Sequence, residues 1–339
     1  MRPLNRLYEK DKNFFRLLGI MLVVFGLCSL LQPVLFPTLA NFVAITRQFP
    51  EYGVLAIAIG LAMLTGGIDL SVVSVANLSA IFAAMIMLGR IPEGASEGTT
   101  AMIIVGAVLV ALVTGLVCGA INGTLIAKIG IPPILATLGT QQLFLGIGIV
   151  ITGGRSQSGM PDMFAQLGRT VYGGFLPLVL LVFIACALFV GILLGKTSFG
   201  AKVYMLGTNE KAATYAGIKT QWLLIRTYML SGGLAAVAGL LMMAQANAMR
   251  AGFGAAYTLQ AVLVAVMGGF NPRGGIGNVH GIVVAVVILQ MISSTLAMFP
   301  QVSNFYRDIL WGAVLVIMLI MNHYAAKSAL AKQALKTAA

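Results

Sequence analysis

The chain has 339 residues, of which 59% are hydrophobic and only 9% charged. Soluble domains carry about 25% charged residues, so this composition excludes a sizeable water-facing domain and points to an all-α protein of the lipid bilayer. The formal charge of +12 sits between apolar runs and not on a basic face with stacking aromatics, which is the positive-inside pattern and not that of a nucleic-acid binder.

One bilayer crossing needs about 20 apolar residues. A basic N-terminus, Arg2 to Arg16, leads into the apolar run Leu17 to Leu31. No small-residue cleavage site closes that run, so 14–36 reads as a retained first span. Runs at 52–66 and 70–89 follow, divided by Gly66 and Gly67. The next are 100–127, 131–152 and 174–195. Beyond a polar segment at 196–221 come 222–246, 257–270, 277–298 and 308–324. The expectation is about ten transmembrane helices in one domain, 1–339, with helices broken at the glycine segments 66–69 and 268–275. Counted from an inner N-terminus, 15 of the 21 Lys and Arg fall on inner segments or, for Arg16 and Arg226, in the adjoining span ends, which supports both termini inside.

Asp69 is the acid that stands inside an apolar stretch. A carboxylate at the bilayer centre costs roughly 2.5–3.5 kcal/mol on insertion scales, so it needs a reason. A half-helix starting at Leu70 has free N–H groups at its first turn, and Asp69 suits the cap of such a helix. A place in a solute pathway and a role in proton coupling are the other readings, and the first is compatible with capping. Gly66, Gly67, Asp69, Ser71, Asn77, Gln141 and Gln245 are the candidate pathway residues, because broken helices line transporter sites and amides offer hydroxyl-matching donors and acceptors. Ser79, Asn122, Gln142, Asn247, Gln260 and Gln290 are further polar in-span residues, and for each of them, as for Asn77, Gln141 and Gln245, bonding between helices is the plain alternative. Gly115, Gly119 and Gly123, four apart, mark a close helix contact, either within the chain or with a second copy.

Other chemistry is sparse. Cys28, Cys118 and Cys186 are odd in number and lie in apolar runs, which gives no disulfide framework. His280 and His323 have no ligand cluster near them, so no metal is expected, and no paired acid and base marks an enzyme. The stretch GILLGKTSFG, 191–200, imitates a phosphate loop, but only three residues separate Gly191 from Gly195 where four are required. No cofactor is expected, and any ATP must be bound by another chain. Within 196–221, NEKAATYAGI can form a short helix capped by Asn209, with Glu210 at its positive end and Gly217 as its stop. Its small residues Ala212, Ala213 and Ala216 suit a docking face, and a plain connecting loop is the bland alternative.

Three segments carry a family resemblance. LTGGIDLSVVSVANLSA, 64–80, resembles the SGGIDLSVGS-type segment of the monosaccharide-importer permeases of the ABC class. VYMLGTNEKAATYAGI, 203–218, and GGFNPRGGIGNVHG, 268–281, resemble two further segments of that group, in the same order. Val73 departs from the usual glycine, and Asn271, Pro272 and Arg273 make the second glycine segment more polar than the family pattern. The resemblance implies a bacterial inner-membrane permease with ten spans and a cytoplasmic ATP-binding subunit docked on 196–221. Asn209, Glu210, Ala212, Ala213 and Gly217 would be the coupling residues. It further implies a periplasmic or lipid-anchored solute-binding protein and a second permease chain, identical or sister. The rival is an ion-coupled secondary transporter, which usually holds several charged residues inside its spans, whereas here Asp69 stands almost alone.

Overall fold

The computed structural model describes residues 12–92 and 94–301, together with 306, 309, 311–313, 316 and 320. Twelve α-helices occur among them. They are α1 Lys12–Leu31, α2 Leu39–Leu64, α3 Val72–Arg90 and α4 Glu97–Thr124, which runs on as a π-turn Leu125–Ile129. α5 Pro133–Thr152, α6 Asp162–Arg169, α7 Leu178–Lys196, α8 Ser198–Thr208 and α9 Glu210–Tyr215 follow. The last three are α10 Thr220–Ala246, α11 Tyr257–Met267 and α12 Val279–Ala297. Local chemistry sets the boundaries. Thr38 caps α2 by accepting from Asn41 N (3.2 Å), Ser96 caps α4 by accepting from Thr99 N (3.3 Å), and Pro133 occupies the first turn of α5.

Seven of these helices are long and apolar enough to cross a bilayer: α1, α3, α4 with its π-turn, α5, α7, α10 and α12. The chain is therefore an all-α, multi-span membrane protein. α2 is long enough at 26 residues, but Arg47, Gln48, Pro50 and Glu51 dilute its apolar character. Its apolar half begins at Tyr52 as expected, yet the helix itself starts at Leu39. α11 has only 11 residues. The predicted span 308–324 falls mostly outside the described residues.

The layers follow from burial. α2, α3, α10 and α12 form the interior, while α1, α4, α5 and α7 turn most of their apolar side chains outward. Leu30 and Val150 are about four-fifths exposed, which suits lipid as solvent. The glycine ladder on α4 is a seam inside the chain. A Cβ on Gly115 would overlap Gly232 O, one on Gly119 would overlap Tyr228 O, and one on Gly123 would lie 2.6 Å from Ile225 Cα. Missing side chains let α4 and α10 touch backbone to backbone, which settles the sequence alternative for the intrachain contact.

α10, about 40 Å long at 1.5 Å per residue, defines two ends of the molecule. At its start lies the 196–221 segment. At its finish β4, Ala248–Met249, pairs antiparallel with β1, Gln157–Ser158, and α10 packs against the short α6 nearby. A second two-residue ladder, the hairpin of β2 Val171–Tyr172 and β3 Leu176–Pro177, lies between α6 and α7, and this end is the hairpin end. The phosphate-loop lookalike is a tight corner between α7 and α8. Thr197 donates to Leu193 O (2.6 Å) and accepts from Gly200 N (3.4 Å), so its hydroxyl closes one helix and opens the next.

Candidate functional site: two broken helices and a buried acid

The two glycine segments expected to break helices both do so, and they meet. α2 stops at Leu64 and α3 begins at Val72, with Gly66 at φ +84°. α11 stops at Met267 and α12 begins at Val279, with Gly274 at φ +93° and Gly275 at φ +72°. L-residues are strained at these angles. Gly275 N donates to Leu64 O (3.0 Å), and a Cβ on Gly274 would lie 3.0 Å from Gly66 N. α8 seals the junction. A Cβ on Gly207 would overlap both Leu64 O and Gly275 N, and Tyr204 donates its hydroxyl to Gly277 O (2.8 Å).

Asp69 lies in the first break and is 1% exposed. α3 starts two residues later than the sequence suggested, at Val72 with Ser71 as cap residue, so Asp69 does not cap a helix beginning at Leu70. Its carboxylate works one step upstream. Oδ1 accepts from Ser71 N (3.0 Å) and Ser71 Oγ (2.7 Å), an Asx-type turn, and Oδ2 accepts from Ser231 Oγ (3.3 Å) on α10. Asn122 Nδ2 on α4 donates to Ser71 Oγ (2.7 Å), and Leu70 N donates to Thr137 Oγ1 (3.2 Å) on α5. Side chains from α4, α5 and α10 thus pin the segment between α2 and α3. Among the described residues, Tyr228 OH, beside Gly67, and Asn122 Oδ1 are buried without a hydrogen-bond partner.

The remaining pathway candidates separate. Gly66, Gly67, Asp69 and Ser71 share the break. Asn77 is buried on α3 and donates to Phe253 O (2.9 Å), tying α3 to the segment between β4 and α11. Gln141 is half-buried on α5 and joins none of these contacts. Gln245, at the far end of α10, belongs to a second polar group that the sequence reading missed. There Tyr257 donates its hydroxyl to Glu51 Oε1 (2.6 Å), and Gln245 Nε2 donates to Glu51 Oε2 (3.4 Å). Tyr52 donates to Gln290 Oε1 (2.6 Å), Gln290 Nε2 donates to Gln48 Oε1 (2.7 Å), and the Tyr52 and Tyr257 rings lie 5.9 Å apart. The sequence signal was present: Gln48, Glu51 and Tyr52 are spaced i, i+3, i+4 on one helix face just ahead of the apolar run.

In the 196–221 segment, Asn209 caps α9 by accepting from Ala212 N (3.0 Å), Glu210 is in its first turn, and Gly217 closes it at φ +79°. The expected face needs revision. Ala213 is 2% exposed and packs into its own chain, while Ala212, Tyr215 and Ala216 face out, Tyr215 at 91% exposure. A six-residue helix has room for one inward position, and Ala213 takes it.

The family described as branched-chain amino acid transport system / permease component matches residues 41–319. The ribose import permease protein RbsC of Bacillus subtilis is 32% identical over 308 residues, covering 90% of this chain and 91% of that protein. The autoinducer 2 import system permease protein LsrD of Yersinia enterocolitica is 28% identical and covers 81% of each chain. LsrC of Salmonella paratyphi B is 32% identical over 79% of this chain and 74% of its own length. No solved structure matches. With the match covering most of the chain and this identity to RbsC, the chain belongs to the ABC importer permease family, in its monosaccharide-importer group, and is a transport subunit, not an enzyme.

Proposed function

We propose that this permease carries a monosaccharide or a similarly small polyhydroxylated solute past the junction of its two broken helices. The relatives named for ribose and autoinducer 2 import support a small polar cargo. A cytoplasmic ATP-binding subunit docks on 196–221, principally through the outward face Ala212, Tyr215 and Ala216 of α9. A solute-binding protein delivers cargo at the opposite, hairpin end, and a second permease chain, identical or sister, completes the pathway. Both termini lie in the cytoplasm, and 1–339 acts as one transmembrane domain.

The observation that carries this reading is the continuity from α9 through α8 to both breaks. α8 lies against Leu64 and Gly275 through Gly207, so movement of the docking segment reaches both breaks directly. Asp69 and Ser71 hold the first break in shape while it moves.

The test is uptake of D-ribose, D-xylose and D-galactose in cells lacking the chromosomal copy, alongside co-purification of the ATP-binding subunit. Ala216→Trp and Tyr215→Asp alter exposed positions and should leave folded yield unchanged. Both should sharply reduce uptake and ATPase capture. Near-normal uptake and capture in both variants, at matched expression, would defeat the docking assignment.

A further inference from the structure

We propose that the polar group around Glu51 is a sugar subsite at the hairpin-side half of the pathway, resting on the reading of this chain as a sugar importer subunit. Its members converge from four helices: Gln48, Glu51 and Tyr52 on α2, Gln245 on α10, Tyr257 on α11 and Gln290 on α12. α2, α11 and α12 are three of the four helices that flank the two breaks. Glu51 lies about 20 Å along α2 from its broken end. It is level with the last turn of α10 and the first of α11, on the side away from α8 and α9.

Packing alone does not call for this carboxylate. From Tyr52 to Leu64, α2 is an unbroken buried apolar stretch, and Glu51 is itself only 8% exposed. Among the described residues Glu51 forms no ion pair, and no group of His, Cys, Asp or Glu could hold a metal beside it. Two hydrogen bonds reach it, one of them long at 3.4 Å, whereas a carboxylate accepts about four.

The composition of the group fits a polyol. A carboxylate accepts from two neighbouring hydroxyls at once, carboxamides donate and accept, and aromatic rings cover the C–H face of a sugar. Gln48 is exposed, and Gln245 and Tyr257 are half-buried, so the edge of the group is not sealed by packing. In this arrangement the Tyr257 hydroxyl and the Gln245 amide occupy the positions on Glu51 that sugar hydroxyls would take. Entry of the sugar exchanges those internal bonds for external ones, and the long Gln245 contact is the first to yield.

The experiment uses the full importer in cells and measures initial uptake of D-ribose, D-xylose and D-galactose over a concentration series, with folded yield and ATPase co-purification in parallel. Glu51→Gln keeps an acceptor oxygen and loses the charge. Tyr257→Phe keeps the ring and loses the hydroxyl. Glu51→Gln should lower uptake of the preferred sugar by about tenfold, the scale of one charge-assisted hydrogen bond. Both variants should change the ratio among the three sugars, with yield and ATPase capture at wild-type levels. Uptake ratios equal to wild type in both variants would overturn the subsite while leaving the importer reading intact. Uptake that collapses when the proton gradient is dissipated at constant ATP, and no longer does so in Glu51→Gln, would assign Glu51 to proton coupling and overturn it too. A wild-type complex that captures the ATPase yet transports none of the three sugars would remove the sugar reading and the subsite together.

Discussion

Gly106 and Gly119 lie on the same helix, α4, and the same substitution should affect them in opposite directions. A Cβ on Gly106 meets nothing within 4 Å. On Gly119 it would overlap Tyr228 O and lie 2.8 Å from Tyr228 C and 2.9 Å from Met229 Cα. Ordinary contact between carbon atoms is about 3.5–4.0 Å, so α4 and α10 must part locally by roughly 1 Å. A gap of that size forfeits a quarter to a half of each contact along the seam, and overpacking of this kind costs about 1–3 kcal/mol. Both alanines gain the same helix propensity, about 0.8–1.0 kcal/mol over glycine, so it cancels in the comparison. Gly106→Ala should be neutral to stabilising. Gly119→Ala should be less stable than Gly106→Ala by about 1–3 kcal/mol. The assay is reversible denaturant titration of the detergent-purified chain, with gel filtration to report its oligomeric state. Equal stability of the two variants would refute the seam, and a loss confined to an oligomer peak would move the glycine ladder to a subunit interface.

Asp69→Asn should fold to near wild-type yield, because its carbonyl oxygen can still accept from Ser71 and its amide can donate to Ser231 Oγ. Asp69→Leu strands those partners and should cost about 1–3 kcal/mol for each group left unsatisfied, read by the same titration. If Asn folds normally but abolishes uptake, charge and not segment geometry is what Asp69 supplies. The corner at 191–200 should bind no nucleotide: the purified chain alone should not retain ATP, and Lys196→Ala should change folded stability by no more than about 0.5 kcal/mol, the usual scale for a surface position. Nucleotide binding by the chain alone that vanishes in Lys196→Ala would contradict the corner assignment.

The apolar spans were legible because lipid demands length and hydropathy from each segment separately. The breaks at 66–69 and 268–275 were legible because glycine announces backbone angles that other residues resist. Their meeting was not, since a backbone-to-backbone contact such as Gly275 N to Leu64 O leaves no side-chain signal in either segment. The residues from Asn209 to Gly217 spell out α9, yet the inward turn of Ala213 depends on where α8 lies, which no residue within α9 encodes. Glu51 is hidden from a hydropathy reading because the apolar run begins one residue after it. A hydropathy window cuts a helix where polar residues start, and α2 continues through them for another three turns because Thr38, and not Glu51, marks its start.

The way Gly207 sits against Leu64 and Gly275 has a mechanical consequence. Side chains can slide past one another by changing rotamer, but main chains in direct contact have no such slack. The end of α2, the glycine loop before α12 and the tip of α8 therefore form one packed block, in which none shifts without displacing the others. Under the docking proposed for α9, a push delivered there moves both breaks together. The permease should switch between discrete inward and outward forms, and a half-turned state should be too strained to accumulate during the transport cycle.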